Sequence, residues 1–98
     1  MKDKPTELRW YNDPGHGWLA VTVRDLLDSG VASDISRYSY HDRQTAMVYL
    51  EEDCDATKYL TALGITMEYA SSIAIEKTTD ADSFVRRLPV YTPERIGA

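Results

Sequence analysis

The sequence predicts an α+β domain in which an antiparallel β-sheet carries two helices on one face. Runs of alternating apolar and polar residues, each bounded by turn-forming residues, predict the strands. Two segments with apolar residues at helical spacing, each followed by a glycine, predict the helices. The 98 residues, 43% of them hydrophobic, suffice for one core. Residues 1–98 are therefore expected to form a single domain, with irregular ends at 1–6 and 89–98.

The first two strands are predicted to form a hairpin. Leu8 and Trp10 alternate with polar neighbours over residues 7–11, which is the period of a half-buried strand. Residues 12–17 are a dense cluster of turn formers, and residues 18–21 resume an apolar run. The two runs are close enough in the chain to pair with each other.

A first helix is predicted to begin near Val23. Thr22 and Asp25 have the spacing of a capping box, in which a hydroxyl and an acid three positions later satisfy free amides at the helix start. Gly30 stands where a helix C-cap needs a residue that tolerates positive φ. The helix is therefore short, about two turns.

A second hairpin is predicted after this helix. Residues 35–40 and 45–50 both have the composition of strands, and the polar residues 41–44 separate them. Because side chains alternate along a strand, Tyr38 and Tyr40 share one face. The hairpin is therefore expected to have an aromatic side.

A second helix is predicted over residues 54 to 63, because apolar residues recur there at i, i+3, i+4 and i+7. These residues are Ala56, Tyr59, Leu60 and Leu63, followed by Gly64 as the C-cap. The β-rich residues 65–77 are expected to form one long strand or two short ones, and the capping pattern at 79–82 predicts a short further helix. The resulting order is ββαββαβ, of which residues 18–77 match the order of the ferredoxin-like plait.

The composition disfavours several classes of protein. No apolar stretch approaches the roughly 20 residues that span a bilayer, and the N-terminus lacks the apolar segment of a signal peptide, so a cytoplasmic location is expected. Cys54 is the single cysteine, which excludes an internal disulfide and a multi-cysteine zinc site. The net charge is −5, and Lys and Arg cluster only at Arg86 and Arg87, so direct binding of nucleic acid is not expected.

Four acids, Glu51, Glu52, Asp53 and Asp55, lie where the second hairpin gives way to the second helix. They have two interpretations: carboxylates that favour a helix N-terminus, or a surface for a cation or a basic partner. Helix initiation accounts for Asp53 as the cap and for Asp55 in the first turn. Glu51 and Glu52 have no comparable local role, so a functional hypothesis depends on them first. No metal is expected, because the spacing lacks the pattern of an EF-hand loop.

His16, Trp18 and the tyrosines of the second hairpin are further binding candidates. His16 lies between two glycines, so its imidazole is expected to be accessible as an acid, a base or a ligand, or else to face solvent. Trp18 anchors either the core or a ligand. Tyr38, Tyr40 and Tyr49 cluster on one hairpin, and tyrosine is enriched at protein interfaces. The alternative is an amphipathic sheet face whose hydroxyl groups reach water.

Three segments together resemble a small family of phage- and plasmid-encoded proteins. They are residues 13–19 (DPGHGWL), 35–40 (ISRYSY) and 48–55 (VYLEEDCD). The resemblance covers residues 10 to 60 and carries over no catalytic residue. It implies a mobile-element origin, and small acidic phage proteins include inhibitors of host defence such as anti-CRISPR proteins.

The leading hypothesis is a non-enzymatic protein-binding module, such as a phage-encoded inhibitor, whose acids at 51–55 meet a basic, nucleic-acid-binding surface of a host protein. One alternative is a small metal- or ligand-binding enzyme that uses His16 with these acids, which requires them to line one pocket. Another is a structural dimerisation domain that uses the tyrosine face. No cofactor and no membrane contact are expected.

Overall fold

A mixed five-stranded sheet lies at the centre of the part of the chain that the structure describes. The computed structural model describes residues 4–97. In chain order its strands and α-helices are β1 (Leu8–Asn12), β2 (Gly17–Thr22), α1 (Val23–Ser29), β3 (Tyr40–Asp42), β4 (Met47–Glu51), α2 (Asp55–Ala62), α3 (Met67–Ser72) and β5 (Ala74–Thr78). Short 3₁₀ turns lie at Ala32–Asp34, Phe84–Arg87 and Pro93–Ile96. The predicted α+β class is confirmed, and α3 is an additional helix.

The first hairpin and the first helix form as predicted. Strands β1 and β2 pair antiparallel, with Trp10 opposite Leu19. The Thr22 hydroxyl accepts a hydrogen bond from the Asp25 N–H at 3.0 Å, and Gly30 ends α1 with a φ of +83°. Local capping chemistry therefore sets both ends of α1.

The sheet is mixed rather than antiparallel, so that part of the prediction is wrong. Its strand order is β3-β4-β2-β1-β5, and β5 runs parallel to β1. Helices α2 and α3 carry the chain across the sheet after β4, so β5 begins at the end of the sheet where β1 begins. Because β1 lies between β2 and β5, the strict order of the ferredoxin-like plait is not confirmed.

Two segments predicted as strands fold differently. Residues 67–72 form α3, whose start is capped by the Thr66 hydroxyl, which accepts from the Tyr69 N–H at 3.1 Å. Residues 35–39 form a turn, because buried Asp55 binds the hydroxyls of Ser36 and Ser39 at 2.6 Å each. In both cases side-chain hydrogen bonds to neighbouring groups outcompete the strand preference.

The two faces of the sheet bury separate cores. Helices α1, α2 and α3 cover one face, where the main core includes Leu19, Leu26, Val48, Leu50, Tyr59 and Ala70. The C-terminal segment covers the other face, where Val85 packs with Trp18 and Tyr49. The helices therefore lie on one face, as predicted. None of the helices in the described chain is long and apolar enough to cross a membrane.

The predicted irregular ends fall partly on residues 1–3 and 98, which lie outside the described residues. Within the described part, residues 89–91 extend the sheet beside β3. The His41 N–H donates to the Pro89 carbonyl and the Tyr91 N–H donates to the Ser39 carbonyl, each at 2.9 Å. The outer edge of β3 is therefore closed by the chain itself.

Candidate functional site

Glu51, the last residue of β4, is buried and binds the backbone just before helix α2. It is only 8% exposed, and its carboxylate accepts the N–H groups of Asp53 at 2.9 Å and Cys54 at 3.0 Å. The cap residue of α2 is Cys54, with no hydrogen bond from its own side chain. The prediction that Asp53 caps the helix and that Glu51 has no local role is therefore wrong. Glu51 satisfies free amides that precede the helix.

Asp55 is fully buried and holds the turn before β3. Its carboxylate accepts the Ser36 N–H at 3.1 Å as well as the two serine hydroxyls, and Lys58 Nζ lies 3.4 Å away. Asp55 does lie in the first helical turn as predicted, but its oxygens are occupied within the chain. Neither Asp55 nor Glu51 presents a free carboxylate to a partner, which corrects their assignment as binding residues.

Glu52 and Asp53 remain exposed, and both line a groove of about 300 Å³ on the helix side of the sheet. Its apolar wall comes from β1, α2 and α3, through Trp10, Ala56, Leu60, Met67 and Ala70. Glu76 of β5 adds a third carboxylate to the lining. Met67 is 74% exposed, so apolar surface is open to solvent beside these acids.

Local contacts order the acidic lining of this groove. Asn12 Nδ2 donates to Glu76 Oε1 at 2.9 Å, and the Glu52 N–H donates to the Gly17 carbonyl at 3.0 Å. A Cβ atom at Gly17 would lie 2.8 Å from a Glu52 carboxylate oxygen, so a side chain at this position would displace Glu52. Within residues 4–97 no Lys or Arg forms an ion pair with these three acids. The three carboxylates of the groove therefore have no cationic partner among the described residues.

A smaller cavity of about 90 Å³ lies on the opposite face of the sheet. It brings together five residues that the sequence marked as candidates from three separate segments, plus one that it did not. These are His16, Trp18, Tyr38, Tyr40 and Glu51, with Arg86. The geometric requirement of the enzyme alternative is thus met for His16 and Glu51, whereas Glu52 and Asp53 line the groove instead.

The charged groups of this cavity are already paired within the chain. The Arg86 guanidinium lies 5.2 Å from the centre of the Trp18 ring and donates to both carboxylate oxygens of Asp13, at 2.6 and 2.9 Å. These bonds, together with the N–H of Ser83, hold the pKa of buried Asp13 far below its usual range. The pair fastens the C-terminal segment to the loop that carries His16.

The aromatic residues of the second hairpin separate by exposure. Tyr38 is 76% exposed at the cavity, whereas Tyr49 is buried and makes edge-on contacts with Tyr11 and Phe84 at 5.6 and 5.5 Å. Burial raises the pKa of Tyr49. Trp18 is also buried, and its Nε1 has no acceptor among the described residues. Tyr49 is therefore a core residue, which corrects its assignment to a binding surface.

Sequence reasoning missed Trp10, Asn12, Glu76 and Arg86, among other residues that line these sites. Alternation along β1 puts Trp10 and Asn12 on one face, and the sequence pattern could therefore have predicted this part of the groove. Glu76 joins them only because β5 pairs with β1, with Glu76 opposite Trp10. Among the described residues no group of three His, Cys, Asp or Glu side chains is placed to hold a metal ion.

The groove and the cavity thus differ in the state of their charges. The groove's acids are exposed and pair with no Lys or Arg of residues 4–97, and the cavity's charged groups have partners in the chain. Comparison of the sequence and the structure with models of protein families, with curated proteins and with solved structures gives no significant match, so function has to be argued from this geometry.

Proposed function

We propose that the chain is a non-enzymatic binding module that takes a basic side chain of a partner protein into the groove between α2, α3 and the sheet. One observation carries this function. An open apolar wall adjoins three carboxylates that no cation of the described chain neutralises. This is the environment in which a long cationic side chain is stabilised along its whole length.

Arginine matches this groove in both of its parts. Its methylene stem can lie along Leu60 and Met67, and its guanidinium can contact the Trp10 ring and donate hydrogen bonds to Glu52 or Glu76. Charge-assisted hydrogen bonds between a guanidinium and a carboxylate are among the stronger hydrogen bonds in proteins. The groove therefore favours a guanidinium over a neutral side chain of the same shape.

The surroundings of the groove extend this preference to longer range. Residues 51–82 contain eight acids against Lys58 and Lys77, within a chain of net charge −5. Such a field raises the association rate of a positively charged partner. A basic, nucleic-acid-binding surface of a host protein is the partner class that we propose, and the resemblance to phage-encoded proteins adds inhibition of a defence system as its biological setting.

The binding residues proposed here differ from those expected from the sequence. Glu51 and Asp55 are excluded because their oxygens are occupied inside the chain. Glu52 and Asp53 stay, and Glu76, Trp10 and Asn12 join them.

Titration with N-acetyl-arginine amide, followed residue by residue in ¹H–¹⁵N spectra, tests this function. N-acetyl-citrulline amide is the matched probe, because it has nearly the same shape and no charge. We expect the arginine probe alone to shift the signals of groove residues, and Glu52→Gln with Glu76→Gln to remove that shift. Glu94→Gln, which removes an exposed acid that does not line the groove, should leave the shift unchanged. Equal responses to both probes would contradict the proposal.

A further inference from the structure

The two edge strands of the sheet, β3 and β5, differ in whether another segment of the chain pairs with them. Residues 89–91 pair beside β3 and close that edge, with Tyr40 and Val90 forming an antiparallel bridge. Strand β5 forms the other edge, and its last four residues are exposed. Unpaired edge strands are templates for pairing with another chain. In the sheet of the described residues, the open edge is therefore confined to β5.

The free backbone groups of β5 follow from its register with β1. The Leu8 N–H donates to the Ile73 carbonyl and the Thr79 N–H donates to the Asn12 carbonyl, each at 2.9 Å. In a parallel ladder alternate residues bond to the same neighbour, so positions 73, 75, 77 and 79 face β1. The N–H and C=O groups of Ala74, Glu76 and Thr78 therefore point away from the sheet, and no group of the described residues bonds to them.

Two of these three residues also line the acidic groove. The side chains of Ala74 and Glu76 belong to its lining, next to the free backbone groups of the same residues. We infer that the partner segment binds as a sixth strand along β5 and directs a basic side chain into the groove, an inference that rests on the proposed function. Strand addition supplies main-chain hydrogen bonds, and the groove selects the side chain.

The geometry of a sheet supports this arrangement. Neighbouring strands lie about 4.8 Å apart, which is shorter than an extended arginine side chain, so an arginine opposite Glu76 reaches its carboxylate. Residues on either side of that arginine would face the opposite side of the sheet, where Ile75 is 41% exposed. The partner segment is thus an extended chain in which a basic residue has apolar or β-branched neighbours.

Amide hydrogen exchange of the full chain tests the strand, using the acetylated and amidated pentapeptide Thr-Val-Arg-Val-Thr as the probe. With saturating peptide, the amides of Ala74, Glu76 and Thr78 should exchange at least tenfold more slowly. The amides of Ile75 and Lys77, which already bond to β1, serve as internal controls and should change little. Two N-methylated peptides, one at Arg and one at both Val residues, block opposite edges of the added strand. Only one of them should lose binding.

A variant of the protein gives an independent measurement. Thr78→Pro removes an outward N–H without touching the ladder to β1, so it should weaken the pentapeptide at least tenfold while thermal stability stays near that of Thr78→Ala. Charge-dependent binding with unprotected amides at 74, 76 and 78 would overturn strand addition and leave the proposed function standing. Equal binding of a control pentapeptide with citrulline in place of arginine would overturn the proposed function. If a higher protein concentration protects these amides in the absence of peptide, β5 pairs with a second copy of the chain. That result would overturn the proposal of a partner strand.

Discussion

The groove and the cavity lie on opposite faces of one sheet, and they use charged residues in opposite ways. In the cavity, Arg86 is bound to Asp13 and Glu51 accepts two backbone N–H groups. In the groove, Glu52 and Asp53 are exposed and unpaired within the described chain. Charged residues whose partners lie inside the chain stabilise the fold, and those without such partners are available for binding.

The two sites also differ in the occupant that they can hold. The cavity of about 90 Å³ has a guanidinium already packed on its Trp18 ring. The groove of about 300 Å³ has apolar surface, and no Lys or Arg of the described chain lines it. In the cavity the chain's own Arg86 takes the position over an aromatic ring that a partner's arginine is proposed to take in the groove.

The largest effect is expected when two acids of residues 51–55, Asp55 and Asp53, are replaced one at a time. Asp55→Ala removes the acceptor of three hydrogen bonds in a buried turn and should lower the free energy of unfolding by about 3 to 5 kcal/mol. Asp53→Ala, at an exposed position, should change it by less than about 0.5 kcal/mol. Urea denaturation measures both. Equal losses of unfolding free energy in the two variants would show that Asp55 is no more important to the fold than Asp53.

The Asp13–Arg86 pair should account for much of the stability on the cavity side. Arg86→Ala leaves a buried carboxylate without its guanidinium, so its melting temperature should fall well below that of Arg87→Ala, which removes an exposed arginine. The lowered pKa of Asp13 means that the pair stabilises fully above the ordinary value of 3.8 and loses this contribution as the pH falls further. Melting scans between pH 5 and 2 should show a shallower loss of stability in Arg86→Ala than in the wild type, and equal slopes would argue against the pair.

Binding should depend on the groove and not on the cavity. Glu52→Gln with Glu76→Gln should weaken the arginine pentapeptide at least tenfold, about 1.4 kcal/mol. His16→Ala with Tyr38→Ala, two exposed changes at the cavity, should leave its Kd unchanged. Fluorescence anisotropy with a labelled peptide gives both values, and added salt should weaken the wild-type complex. The reverse pattern would move the binding site to the cavity.

The smallest expected effect concerns His41 on the closed edge of the sheet. Burial, with a smaller contribution from Arg43, lowers the pKa of His41 below its ordinary value of 6.5. The folded state therefore favours the neutral imidazole, and this contribution to stability is present above pH 6.5 and lost as the pH falls through that range. His41→Gln should flatten the decline in stability between pH 7 and 5. A decline as steep as that of the wild type would assign it to other groups.

Local signals in the sequence predicted several elements correctly. The capping pair Thr22 and Asp25, and Gly30 after them, predicted α1, because a helix end is determined by residues within one turn of it. The spacing of apolar residues from Ala56 to Leu63 predicted α2, because helical periodicity is also a local pattern. Within residues 65–77, a strand forms at Ala74–Thr78 as predicted, but the strand expected before it was wrong. Thr66 caps helix α3 there, a local signal that the high β-propensity of the segment obscured.

The sequence by itself determined the α+β class, the first hairpin, the capped helix α1 and the net charge of −5. Only the tertiary structure decided which acids are free. Asp55 meets Ser36 and Ser39 from 19 and 16 residues away, and Glu76 meets Asn12 from 64 residues away. The parallel pairing of β5 with β1, which creates the groove and its open edge, is equally non-local. Such contacts depend on how elements pack, and the local patterns of a single chain do not encode that packing.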